Sequence, residues 1–215
     1  MNHNQNHKAM SGSYHEVETL DELRSLLKKG GYIRRCSFQN IDFSVMHAEG
    51  LGLDAGIIYE DCIFMGCVIT KEMKSQINKT DLIFSKMDVP YNSFRNTLYT
   101  PEMLYEGYQI GTPDSYKESF DYKVYQHYLD KGKVATDIKE TLARTLHDHS
   151  ISNALHDLLS QYDEKKVVGV MGGHGLSRSD ETYKKIALIS KDLTERGYLM
   201  VSGGGPGAME ATHLG

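Results

Sequence analysis

No apolar run in this 215-residue chain comes near the roughly eighteen residues that a bilayer-spanning helix needs, which excludes a transmembrane helix. Met1 to Ser13 is polar, with little apolar content beyond Ala9 and Met10, and reads as a loose tail without the apolar core of a signal peptide. Cysteine is scarce: Cys36, Cys62 and Cys67 form an odd set without a C-x-x-C spacing. That excludes a disulfide framework and predicts reduced, packed thiols in a soluble, cytoplasmic protein. A basic excess is lacking as well. Net charge is −5, with six Lys/Arg against five Asp/Glu from Lys166 onward and eighteen against twenty-four before it. Nucleic-acid binding normally shows as a basic face, so DNA or RNA is a minor reading.

What is present is ordinary for a globular chain: 40% hydrophobic and 25% charged residues, enough for one large or two small domains. Thr19 to Gly30 starts with a capping residue, has acids in its first turn and bases in its last, and predicts a short amphipathic helix with Leu20, Leu23, Leu26 and Leu27 buried. From Tyr32 to about Phe84 come short apolar pieces such as Cys36-Ser37-Phe38 and Cys62-Ile63-Phe64, which read as short strands between polar turns. Phe38 and Phe43 are five apart, as are Cys62 and Cys67, the period of pentapeptide-repeat β-helices. Too few rungs are in evidence for a solenoid, so a small irregular sheet is the preferred reading.

Only four prolines occur, and Pro90, Pro101 and Pro113 mark a long connecting segment from Asp88 to Asp114. Its Tyr91, Tyr99, Tyr105 and Tyr108 are expected to pin it to a surface with their hydroxyls in water. Three helices follow: Ser115 to Lys131, closed by Gly132; Thr136 to about His149; and Ser150 to Tyr162, capped by Ser150 or Ser152. Residues 14–162 are thus expected to form a mixed α+β domain. The helix with Asp121, Tyr122, Tyr125, His127 and Tyr128 is expected to pack on its sheet. His147 and His149, two apart on a continuous helix, diverge by about 200° and cannot chelate one ion. No metal is expected.

From Lys166 onward the pattern is clearest. Lys166 to Met171 is a β-branched strand, Gly172 to Ser179 a loop, and Asp180 caps a helix from Glu181 to Arg196 that Gly197 ends. Tyr183, Ile186, Ala187, Ile189, Ser190 and Leu193 are its expected inward positions. Tyr198 to Val201 is a second strand, and Ser202-Gly203-Gly204-Gly205-Pro206-Gly207 turns into a second helix. This order predicts an α/β fold, the start of a doubly wound Rossmann-like parallel sheet.

Two glycine-rich loops at the carboxyl edge of one parallel sheet are where open α/β folds bind ligands. Neither the G-x-G-x-x-G fingerprint nor the G-x-x-x-x-G-K-[ST] phosphate loop is present. Phosphate binding would instead use backbone N–H groups of Gly204 to Ala208 and the helix N-terminus, with Ser202 as a hydroxyl donor. Arg178 is the cation placed to grip the same anion, or is a surface arginine. Glu210 accepts a ribose hydroxyl or serves the helix dipole. His174 lines the pocket or is a solvated bystander. The nucleotide-binding set is therefore Gly172, Gly173, His174, Arg178, Ser202, Gly203, Gly204, Gly205, Gly207, Ala208, Met209 and Glu210.

Met171-Gly172-Gly173 after one strand and Gly203-Gly204-Gly205-Pro206-Gly207-Ala208-Met209-Glu210-Ala211 after the next resemble the Rossmann-fold nucleotide-binding proteins labelled "possible lysine decarboxylase", related to the Lonely Guy cytokinin-activating phosphoribohydrolases. The likeness covers Lys166 to Gly215. It implies binding of an AMP-like nucleoside 5′-monophosphate and, in active members, hydrolysis of its N-glycosidic bond, without pyridoxal phosphate or another cofactor. In such enzymes a later P-G-G-x-G-T-x-x-E loop and an upstream arginine carry the chemistry. This sequence does not contain that loop, so the phosphate-binding half of the pattern carries over and the catalytic residues stay unassigned. The chain is expected to be a fragment, or to take partner strands from elsewhere, as in a homo-oligomer, and to be inactive by itself. A noncatalytic nucleotide sensor and, behind it, a single-stranded DNA binder are the competing readings.

Overall fold

The computed structural model describes residues 14–28, 31–48 and 57–215, so the polar N-terminal tail and Gly30 lie outside the described residues. The chain divides into two compact units, Met1–Ala154 and Leu155–Gly215. Among the described residues, no helix is long and apolar enough to cross a membrane.

The first unit begins with β1 (His15–Val17), α1 (Leu20–Leu27), β2 (Tyr32–Arg34), β3 (Cys36–Gln39), α2 (Phe43–Ala48), β4 (Ile58–Glu60), β5 (Ile63–Met65), α3 (Lys71–Lys74) and β6 (Leu82–Phe84). Thr19 caps α1 as the sequence predicts, and Glu22 answers it by accepting from the Thr19 backbone N–H, which closes a reciprocal capping box. The strands form two sheets, ordered β1-β3-β5-β6 and β2-β4, and every neighbouring pair is parallel.

The register shows how they are wound. Ile33 lies opposite Tyr59, Phe38 opposite Phe64, and Asp42 bridges Val68, each pair 26 positions apart. The chain therefore turns through β2, β3 and the Asp42 bridge and repeats that turn through β4, β5 and Val68. The corners recur at the same offset: Arg35 and Asp61 both have φ 55°, and Asn40 (φ 54°) is matched by Gly66 (φ 64°). A left-handed residue at each corner swings the next strand onto a new face.

This is a short parallel coil rather than the irregular sheet that the small number of rungs suggested. Residues five apart, Ile33, Phe38 and Phe43 on one rung and Tyr59 and Phe64 on the next, point into a single core with Cys36, Ile41, Ile57 and Cys62. Phe38 and Phe64 stack with centroids 5.0 Å apart, and Phe43 and Tyr59 meet them edge-on. Two full rungs suffice because neighbouring elements add to the core: α1 contributes Leu23 and α3 contributes Met73, both fully buried. The three thiols are free, as expected, and burial pushes that of Cys67 up to about 11.

The rest of this unit is the proline-marked segment with α4 (Pro101–Leu104), a short 3-10 turn (Pro113–Glu118), α5 (Phe120–Lys131) and most of α6 (Ile138–Ser160). Ser119 caps α5, and Gly132 at φ 81° ends it. The two helices predicted on either side of Ser150 are one. Ser150 does not cap; it is buried within α6, and its Oγ accepts from Gln39 Nε2 at 3.0 Å. That amide also donates to Phe94 O at 2.8 Å, tying the coil to both the connecting segment and α6. The tyrosine expectation fails at two of four positions: the Tyr91 hydroxyl is buried, and that of Tyr99 meets His147 Nε2 at 3.0 Å.

The second unit runs from a 3-10 turn (Glu164–Lys166) through β7 (Val167–Val170), α7 (Glu181–Glu195), β8 (Leu199–Ser202) and α8 (Ala208–Leu214). β7 and β8 pair in parallel, Val167 opposite Leu199 and Val170 opposite Ser202. Asp180 caps α7 by accepting from Thr182 N at 2.7 Å. Gly197 at φ 80° follows its end. Tyr183 and Ser190 are buried on α7, but Ile189, predicted inward, is 59% exposed, because the helix turns the Tyr183–Ser190 side toward its neighbours.

Candidate functional site

Parallel pairing puts the carboxyl ends of β7 and β8 side by side, so the two glycine turns that follow them meet. Their contact is backbone against backbone. Ala208 N donates to Gly173 O at 3.3 Å, and a Cβ on Gly207 would sit 2.0 Å from that same carbonyl oxygen. Gly207 at φ 76° and Gly173 at φ 72° are glycine because the approach and the left-handed backbone both require it.

The turn after β8 is held from within. Ser202 Oγ accepts from Gly204 N at 3.1 Å and lies 2.7 Å from His213 Nε2 on α8. Two N–H groups expected to face a phosphate, those of Gly204 and Ala208, are thus already engaged inside the unit, and so is the Ser202 hydroxyl. Pro206 has no N–H to offer. The N–H groups of Gly205 and Gly207 make no hydrogen bond among the described residues, nor do those of Met209 and Glu210 in the first turn of α8. These are the donors left for a ligand.

Beside them lies an open groove of about 550 Å³ lined by Arg178, Tyr183, Gly204, Gly205, Glu210 and His213, among others. Arg178 Nη2 and Glu210 Oε1 are 2.5 Å apart, so the cation from the first loop and the acid from the second form one ion pair. The hydrogen bond and charge of Glu210 push the Arg178 guanidinium further up from its ordinary value. Of the sequence-predicted set, the groove gathers Arg178, Gly204, Gly205 and Glu210; Gly172, Gly173, His174, Ser202, Gly203, Gly207, Ala208 and Met209 do not line it. Met209 is buried beneath the turn, with its Cε 2.5 Å from where a Cβ on Gly205 would stand.

Sequence reasoning missed His213, Tyr183 and the Arg178–Glu210 pair. Helical spacing offered the first as a signal, since His213 lies three positions after Glu210 and so shares its face of α8. Nothing local to the sequence links Arg178 to Glu210 across 32 positions. No family model, curated protein or solved structure matches this chain.

Proposed function

We propose that Leu155–Gly215 opens a doubly wound Rossmann-like sheet and that its groove binds a nucleoside 5′-monophosphate. The observation that carries this reading is the backbone contact of two glycine turns at adjacent parallel strand ends, with unpaired N–H groups and a lone Arg–Glu pair on the rim of one groove. The phosphate takes the amide of Gly205, on the groove lining, and one edge of the Arg178 guanidinium, whose fork accommodates an anion while Glu210 holds the other edge. Glu210 then stands where a ribose hydroxyl donates to it. The resemblance of Gly203 to Ala211 to the phosphoribohydrolase group supports the same ligand class.

Calorimetric titration with AMP tests this, with free adenine measured in the same samples. Saturable binding is expected. Release of adenine with ribose 5-phosphate marks a nucleotide N-glycosidase, and binding without release marks a sensor. Gly205→Val adds a branched side chain to a groove-lining turn at a position whose φ is not left-handed, and the fold is expected to survive because the close neighbour of its Cβ is the flexible end of Met209, which shifts and takes the turn with it. The variant should weaken AMP at least about tenfold. Unchanged affinity in a folded variant reduces the glycine turn to a packing device.

A further inference from the structure

The helical part of the first unit holds a half-open cavity of about 250 Å³ between α5, α6 and the connecting segment. Its walls are largely aromatic: Tyr91 and Tyr99 come from the segment, Phe120 and Tyr128 from α5, and His147 from α6. Helical spacing explains the faces. Phe120, Val124 and Tyr128 recur every four positions on α5, as Glu140, Arg144 and Asp148 do on α6, so each helix turns one stripe toward the cavity. Charge then decides what the space can take. Three carboxylates line it, those of Asp121, Glu140 and Asp148, against the single guanidinium of Arg144 and no lysine. Arg144 is already committed: its Nε donates to Glu140 Oε1 at 2.7 Å, and its Nη1 donates to the carbonyls of Gly132 and Lys133 at 3.0 and 3.2 Å.

With the Arg144–Glu140 pair cancelled, Asp121 and Asp148 are left over. Tyr116 Oη donates to Asp121 Oδ2 at 2.5 Å, a neutral partner that leaves the charge in place, and Asp121 makes no ion pair among the described residues. The Asp148 side chain, 83% exposed at the rim, lies 3.7 Å from His147 Nδ1 and pairs with no lysine or arginine among the described residues. Burial pushes that imidazole below its ordinary value, so it brings no positive charge at neutral pH. Both acids flank one aromatic cluster. The Tyr99 ring lies 5.5 Å from that of Phe120 and 5.8 Å from that of His147, centroid to centroid, and Asp121 and Asp148 directly follow those two residues in the chain. Rings of this cavity already hold cations: Arg144 lies 5.6 Å over Tyr128, and Arg95, which is not on the lining, lies 4.1 Å over Tyr99. Aromatic walls with uncompensated carboxylates favour a positive ligand, because ring quadrupoles and acids attract it together. The cavity falls under the roughly 300 Å³ at which pockets for drug-sized ligands begin, so its occupant is smaller than a nucleotide.

We propose that this cavity binds a small organic ammonium ion, its nitrogen on Asp121 and Asp148 and its carbon skeleton against Tyr91, Tyr99 and Phe120. The site lies within the first unit and does not rest on the nucleotide groove. The test is calorimetric titration of the full chain with benzylamine, against benzyl alcohol, which keeps the ring without the charge, and benzoate, which reverses the charge. Saturable benzylamine binding is expected, at least about tenfold tighter than benzyl alcohol, with no benzoate binding up to about 10 mM. Asp121→Asn keeps the size of the side chain and still accepts from Tyr116, so it should weaken benzylamine several-fold without lowering the thermal midpoint. Asp121→Asn combined with Asp148→Asn should weaken it about tenfold or more. Gly205→Val should leave benzylamine binding unchanged. Absence of benzylamine binding, equal binding of benzyl alcohol or benzoate, or undiminished benzylamine affinity in the folded double variant each overturns the proposal.

Discussion

The coil and the βαβα unit are both built on parallel strands, yet they use them in opposite ways. In the coil each strand is three or four residues long, every corner is a left-handed residue, and the inward positions of two rungs fill one closed aromatic core. In the second unit the two strands serve as a platform: the buried residues lie mainly on α7 and α8, while Leu188 and Met171 are 67% and 78% exposed and the conformational demands sit in the turns. Side-chain volume therefore limits the first region, and backbone approach limits the second. Large-to-small changes should injure the coil most, and small-to-large changes the glycine turns.

The largest expected effect tests the first half of that contrast. Phe38→Ala removes a fully buried ring that touches Phe43, Tyr59 and Phe64, and should cost about 3–5 kcal/mol of unfolding free energy in urea melts. A loss below about 1 kcal/mol would mean that the rungs do not share one core. The second half is tested by Gly207→Ala, which adds one methyl where the backbone is left-handed and the Gly173 carbonyl stands 2.0 Å away. It should cost about 1–3 kcal/mol and abolish AMP binding, whereas an alanine at Gly204, left-handed but with open space around it, should be milder. Equal effects at the two positions would show that turn strain alone, without close approach, is at work.

The smallest effect concerns acid. Burial pushes the His147 imidazole below its ordinary 6.5, and hydrogen bonding to Arg144 and His127 leaves Glu140 below its ordinary 4.5 despite burial. In both cases the unfolded chain binds the proton more readily, so stability is complete above the unfolded value and falls as pH drops through it toward the folded one. The His147 contribution should begin to fade below about pH 6.5 and that of Glu140 below about 4.5. Tyrosine fluorescence melts of wild type and His147→Gln between pH 7 and 5 measure the first step, and the substitution should flatten it. A wild-type curve already flat over that range contradicts the burial of a neutral His147.

Much of the local structure was legible because its causes are local. The Thr19 cap, the Asp180 cap, the glycine ends of α5 and α7 and the two glycine turns each follow from residues within one helical turn of one another. The coil was visible as a five-residue period but not as a closed object. Three of its corners are Arg35, Asn40 and Asp61, which carry no glycine signal, and its closure depends on pairing across 26 positions. Ser150 failed for a similar reason: a serine in a helical pattern reads as a cap until Gln39, 111 positions away, claims its hydroxyl. In the candidate site the glycines were legible, while the Arg178–Glu210 pair and the engagement of Ser202 by Gly204 and His213 were not.

By itself the sequence determined where the backbone must bend and which faces must be buried, since glycine, caps and apolar spacing act through conformational freedom and solvent exclusion over a few residues. Tertiary structure alone decided which charged groups are paired and which donors stay open. Arg178 and Glu210 on one groove, and Glu140, Arg144, His127 and Tyr91 around one cavity, come together only when distant elements pack. The physical reason is range: conformational preference is set by a residue and its nearest neighbours, whereas a hydrogen bond in a desolvated site is decided by whatever the fold brings within about 3 Å.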